Sequence, residues 1–260
     1  MRLVVSLLSV SAFCLLLTSP AQSEEWGTLK GRIVYDGPAP KPEAVNVTKD
    51  QAFCGKHNLV DEDLVVNPEN KGLANVAIWL YVGRRDPNPP VHESYAKTAD
   101  DKVTLTNDKC RFEPHVALLR TSQTLVLGND DPVGHNTKID TFVNQPINYT
   151  IPSESKLEQT FSEKERLPAA VSCSIHPWMK AWLVVQDHPY MAVTDKDGNF
   201  EITNVPAGEW TFQFWQEKAG YLSGISAGGN EADRRGQVEL TVKPGENDLG
   251  EIKVSPDLFK

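Results

Sequence analysis

The stretch Cys173-Ser174-Ile175-His176-Pro177-Trp178-Met179 constrains this chain more than any other. A thiol, an imidazole and a thioether fall within seven residues. A soft thiolate, a borderline imidazole and a weak axial thioether suit copper that cycles between its two oxidation states. Such a site needs one more imidazole, which need not be local. The best candidate is His135, in Asn129-Asp130-Asp131-Pro132-Val133-Gly134-His135-Asn136, upstream of Cys173. The plainer reading is a buried Cys with a stray His and Met in a strand-loop-strand. The Met at the third position after His176, together with a second His on a strand-like segment, weighs against it.

The loop resembles the copper loop of amicyanin, in the plastocyanin-like cupredoxin family, whose short form is C-x-x-H-P-aromatic-M. Cys173, His176, Pro177, Trp178 and Met179 fit that pattern. The upstream stretch is similar to the family's first-ligand segment, where an Asn-containing turn leads to a His-Asn pair. The likeness covers about Lys102 to Asp187. It implies one mononuclear type 1 copper held by His135, Cys173, His176 and Met179. It also implies that His176, at the loop tip, presents its ring edge to solvent as the electron exit.

The N-terminus reads as a signal peptide over residues 1–23. Arg2 supplies a positive start, Leu3 to Leu17 is apolar, and Ala21-Gln22-Ser23 offers small residues for cleavage. The run is short for a membrane span, so no transmembrane anchor is expected after cleavage. Cys14 lies inside the apolar run, the wrong place for lipid attachment. A periplasmic or secreted protein is expected.

Removing residues 1–23 takes away Arg2 and no acid, which shifts the formal charge from -9 to -10. An acidic surface repels nucleic acid and suits protein redox partners that are basic. With 18 Pro, 17 Gly and few long helical patterns, the composition points to an all-β protein.

Cleavage leaves Cys54, Cys110 and Cys173. If Cys173 binds copper, Cys54 and Cys110 remain as a pair, and in an oxidising compartment the default is a disulfide. Two free thiols, or a second metal site from Cys54, His57, Cys110 and His115, are the alternatives.

Trp26 to Asp36 alternates as a strand and ends at the turn Gly37-Pro38. A Pro-rich loop and a short helix over Asp50 to His57 follow. Val76 to Val82 is apolar enough to be buried on both faces. Arg84 to Pro90 reads as a linker. Eight short strands are then expected: 103–106, 116–120, 124–127, 136–139, 148–151, 157–161, 169–173 and 181–185. This spacing suits a Greek-key sandwich.

Further on, Ala192 to Ile202 is a strand, a Gly turn and a strand, and Asn204 to Phe212 repeats that design. This resembles the carboxypeptidase regulatory-like, or transthyretin-like, β-sandwich, with its T-D-x-x-G-x-F and N-x-P-x-G-x-aromatic steps. Its first strands resemble Gly27 to Val34 and Gly72 to Val82. In that family the strand like Val76 to Val82 runs almost directly into T-D-x-x-G; here the whole copper motif intervenes.

The expected fold is therefore all-β. A Greek-key cupredoxin sandwich (98–187) is inserted in, or follows, a second immunoglobulin/transthyretin-like sandwich built from 24–85 and 188–256. If the segment before the linker instead joined the cupredoxin, the two would lie in series.

Remaining motifs are weaker. His188 is either a surface electron port or an extra ligand, or else a polar residue at the junction of the two parts. Asp195 and Asp197 lack the later acid of a calcium loop and read as turn formers. Cys173 is flanked by Ser172 and Ser174 rather than by the two His that serve a multicopper oxidase cluster. Position 169 is Ala and position 177 is Pro, so the second Cys of a binuclear centre is missing. The expectation is one-electron transfer and no enzymatic activity. The rivals are a copper carrier and a cell-surface module with incidental redox cycling.

Overall fold

The computed structural model describes residues 25–83 and 86–260. The expected signal segment, and Arg84 and Arg85 of the expected linker, lie outside them.

The protein is all-β. Its first strand, β1 (Trp26–Tyr35), alternates so that Leu29 and Ile33 turn inward. It pairs antiparallel with β13 (Asn199–Pro206) and parallel with β19 (Gly245–Val254). A second sheet runs in the order β12 (Met191–Val193), β2 (Ala77–Leu80), β14 (Gly208–Gln216), β15 (Gly220–Tyr221). Strand β18 (Gln237–Val242) also pairs with β14, and a small ribbon, β16 (Ser226–Ala227) with β17 (Asn230–Glu231), lies beside it. Every residue of β2 is buried, as expected of a central strand packed on both faces. The core between the two sheets includes Leu29, Ile33, Ile78, Phe200, Phe212 and Phe214. Full burial of each such side chain contributes about 1.5–3 kcal/mol.

Between β2 and β12 the chain builds another sandwich. One sheet has the order β5 (Val116–Arg120), β11 (Lys180–Gln186), β10 (Ala169–Ser172), β7 (His135–Asp140), β8 (Ile147–Ile151). The facing sheet has the order β4 (Arg111–Glu113), β3 (Lys102–Asp108), β6 (Thr124–Asn129), β9 (Ser155–Thr160). All eight expected strands are present. The ninth, β4, is a three-residue edge strand that ends at the cis Glu113-Pro114 bond and was too short to show a period.

The insertion has a simple geometry. Strands β2 and β12 are antiparallel neighbours, with Met191 opposite Trp79 and Val193 opposite Ala77. Leu80 N–H donates to Tyr190 O at 2.9 Å. The inserted sandwich thus replaces the turn of a β-hairpin, a place where chain ends already lie close together. The two sandwiches also share an apolar seam of Ala77, Trp79 and Trp215 from the outer one with Val116 and Val184 from the inserted one.

One part of the expected outer segment, 24–85, packs elsewhere. After β1, the central strand of its sheet, Pro38, Pro40 and Pro42 end the ladder, because they cannot donate to it. Residues 43–63 then form a long loop across the inserted sandwich. Val45 N–H donates to Leu59 O, and Asp61 N–H to Glu43 O. Val45, Val47, Phe53, Cys54 and Leu59 all pack into the inserted sandwich's core. Helix α1 (Gln51–Cys54) sits at the far end of this loop, and Cys54 is joined to Cys110 by a disulfide. Since both cysteines lie in one core, the bridge staples the loop to the inserted sandwich instead of tying the two sandwiches together.

Candidate metal centre

Strand β10 ends at Ser172 and β11 begins at Lys180, so Cys173 to Met179 is the connection between two antiparallel neighbours. Met179 N–H donates to His176 O at 2.9 Å and Cys173 N–H to Met179 O at 3.3 Å, which closes the loop on itself. Asn136 holds its start: its Oδ1 accepts from Ser174 N–H at 2.7 Å and Ile175 N–H at 3.2 Å. Strand β7 lies beside β10 and brings His135 to the same end.

The structure gathers His135, Cys173 and His176 into one buried cluster. His135 Nδ1 lies 4.0 Å from Cys173 Sγ, and His176 Nδ1 lies 3.9 Å from it. Metal bonds to nitrogen and sulfur of about 2.0–2.3 Å fit an ion between donors about 4 Å apart. Met179 is buried in the same apolar cluster as Cys173. Trp178 packs edge-on against His176 and donates its indole N–H to Cys110 O at 3.2 Å.

Each imidazole has a carboxylate on its far nitrogen. His135 Nε2 is 2.8 Å from Asp131 Oδ2, and His176 Nε2 is 2.8 Å from Asp50 Oδ2. A proton on each Nε2 satisfies these contacts and leaves both Nδ1 lone pairs facing the sulfur. Burial alone would raise the Cys173 pKa, but the close His135 and His176 rings and the neighbouring backbone outweigh it and bring it down to about 6. A thiol so poised supplies the thiolate that a soft metal takes. Burial likewise opposes ionised Asp131, but His135 and the N–H groups of Cys110 and Lys109 hold its pKa below the usual carboxylate range.

Three residues here were not expected from the sequence. Asp131, four positions before His135, carried a local signal in that spacing. Asn136 stood in the His-Asn pair but with no role assigned to it. Asp50 carried none, being 126 residues from His176. One expectation is corrected: the His176 ring edge is 0% exposed, with Asp50 on its Nε2 and His135 and Trp178 packed against the ring.

The other candidates fall outside the cluster. The Cys54–Cys110 disulfide leaves no thiolates for the alternative metal site with His57 and His115. His115 instead pairs through Nε2 with Glu217 of the outer sandwich, whose other oxygen accepts from Trp182 Nε1 at 2.8 Å. His188 is buried at the junction and stacks on Tyr190. Asp195 Oδ1 accepts from Asp197 N–H and Asn199 N–H, the turn role expected of it.

No family model and no curated protein matches the chain. Among solved structures it is similar to a variant of amicyanin in the oxidised state, at 19% identity and a TM-score of 0.30, covering 33% of this chain and 82% of that one. A copper-containing nitrite reductase from Thermus scotoductus matches at 20% identity and a TM-score of 0.30, over 41% of this chain and 25% of the other. A purple cupredoxin from Nitrosopumilus maritimus matches at 22% identity and a TM-score of 0.28, over 34% of this chain and all of the other.

Proposed function

We propose that this is an exported protein with one mononuclear type 1 copper site, acting in one-electron transfer between protein redox partners. The observation that carries the reading is the donor set: one low-pKa thiol faced by two imidazole Nδ1 atoms, each ring fixed by a carboxylate. His135, Cys173 and His176 would hold the metal, with Met179 as the weak fourth ligand. Copper bound there would cycle between its cuprous and cupric states and so carry one electron. The chain's own part is to fix the donors before the metal arrives, so that neither oxidation state demands rearrangement. Asn136 and the loop's own backbone bonds do this for Cys173, and the two carboxylates for the rings.

No catalytic activity is proposed. The acidic surface, at -9 over the whole chain, favours basic partners. Among the described residues no helix is long and apolar enough to cross a membrane. A periplasmic or secreted location rests on the N-terminal sequence and on the disulfide.

The test is a titration of the metal-free protein with cupric ion, followed in the visible and then by reduction and reoxidation. An intense thiolate-to-copper band that saturates at one equivalent and bleaches reversibly supports electron transfer. Tight binding with no such band, or with slow irreversible cycling, favours a copper carrier.

A further inference from the structure

His176 is enclosed by chain from the other end of the sequence. Its Nε2 meets Asp50 Oδ2 at 2.8 Å, and the ring is 0% exposed. Asp50 directly precedes α1, at the position where an Asp side chain ordinarily accepts from the helix's first free N–H groups. Here it makes no such bond. Its backbone takes the left-handed conformation, φ 48°, which is uncommon outside glycine and which Asp tolerates better than most residues. The carboxylate is turned away from the helix and towards His176.

The same disulfide fixes both carboxylates of the centre. Cys54 N–H donates to Asp50 O at 2.9 Å. Cys110 N–H donates to Asp131 Oδ2 at 2.8 Å. Joining Cys54 to Cys110 therefore links the backbone that carries Asp50 to the backbone that anchors Asp131. Val45, Val47, Phe53 and Leu59 seal residues 43–63 against the core beneath.

We infer that Asp50 is a positioning residue for the metal centre and that residues 43–63 are its fixed cover. Asp50 holds His176 in the tautomer whose Nδ1 faces Cys173. Its negative charge makes that imidazole a stronger donor, which favours the more highly charged oxidation state. A redox partner then meets Asp50 and the outer face of α1, and the His176 ring stays out of its reach. The inference rests on the copper reading above, though the pairing of Asp50 with His176 does not require metal.

Two measurements test it. In the metal-free protein labelled with nitrogen-15, the His176 Nε2–H should give a slowly exchanging resonance. It should persist in Asp50→Asn, which keeps an acceptor oxygen, and vanish in Asp50→Ala. In the copper-loaded protein, Asp50→Asn should move the reduction potential to a more positive value while the visible band stays. A His176 Nε2–H that exchanges freely in the unmodified protein, or equal potentials for it and Asp50→Asn, overturns the inference. If Asp50→Ala does not fold, Asp50→Asn and the unmodified protein decide it. A protected Nε2–H in a protein that binds no copper upholds the positioning of His176 and sinks the copper reading instead.

Discussion

His135 and His176 face each other with ring centroids 4.5 Å apart, and the sulfur of Cys173 lies about equally far from the near nitrogen of each. The three side chains come from the start of β7 and from the β10–β11 connection, so two adjacent strands set the donor spacing.

Cys173→Ser should abolish the intense visible band and leave the protein folded, since serine offers a hard donor of similar size. His135→Ala should abolish it too, whereas His115→Ala should keep it, because His115 is occupied with Glu217. Visible titration with cupric ion and far-ultraviolet dichroism on the three variants decide this. A band retained in His135→Ala and lost in His115→Ala would move the ligand.

His188 should make the protein acid-sensitive. Burial pushes its pKa down to about 4, against the ordinary value of about 6.5. Between those values the unfolded chain binds a proton that the folded one refuses. Stability should therefore be full above pH 6.5, fall as the pH drops towards 4, and level off below. The whole loss is about 3 kcal/mol. Denaturant unfolding of His188→Gln across this range should show a shallower fall; an unchanged slope would assign the loss to other groups.

Gly72 and Gly198 meet where the chain before β2 crosses the turn before β13. A Cβ on Gly72 would run into the Asp197 carbonyl, and one on Gly198 into Ile33 O. Gly198 also has φ 82°. Gly198→Ala should cost more than about 1 kcal/mol from the backbone conformation alone, before any clash. Its effect belongs to the outer sandwich, so copper uptake at low denaturant should be unaltered. A variant as stable as the original would refute the close approach.

Trp182 and Trp215 meet edge to face across the seam between the sandwiches, centroids 4.8 Å apart. Trp215→Ala should cost about 3–5 kcal/mol, the usual range for a buried Trp. It should also split a single calorimetric transition into two, one per sandwich. A single transition with a smaller loss would mean that the covalent connections alone couple them.

Much of this was legible in the sequence, because most strands bury one face. In β18, Gln237 to Val242, buried and less buried residues alternate, as the spelling Q-V-E-L-T-V already implies. The inserted arrangement was expected because Val76 to Val82 and Thr194-Asp195 resemble consecutive steps of one β-sandwich pattern, with the copper motif between them. What could not be read is which core an apolar stripe serves. Val45, Val47 and Phe53 have the spacing of a half-buried segment, and nothing in them tells one sandwich from the other. The side packed against is decided by Cys110 and His176, far along the chain. Nothing local to Asp50 or to His176 in the sequence therefore marks the one as the cover of the other.

The hairpin that the inserted sandwich interrupts also sets an order of events during synthesis. Strand β1 leaves the ribosome first among the described strands, yet its partners, β13 and β19, are among the last. At about 5–20 residues per second, β1 waits through the synthesis of the whole inserted sandwich. Closing a loop that long as a flexible chain costs entropy that grows with the logarithm of its length. Once the inserted sandwich has folded, Leu80 and Tyr190 are already neighbours and that cost is largely met. The nascent chain thus matures from the middle outward, and amides of β11 should gain protection from hydrogen exchange before those of β1.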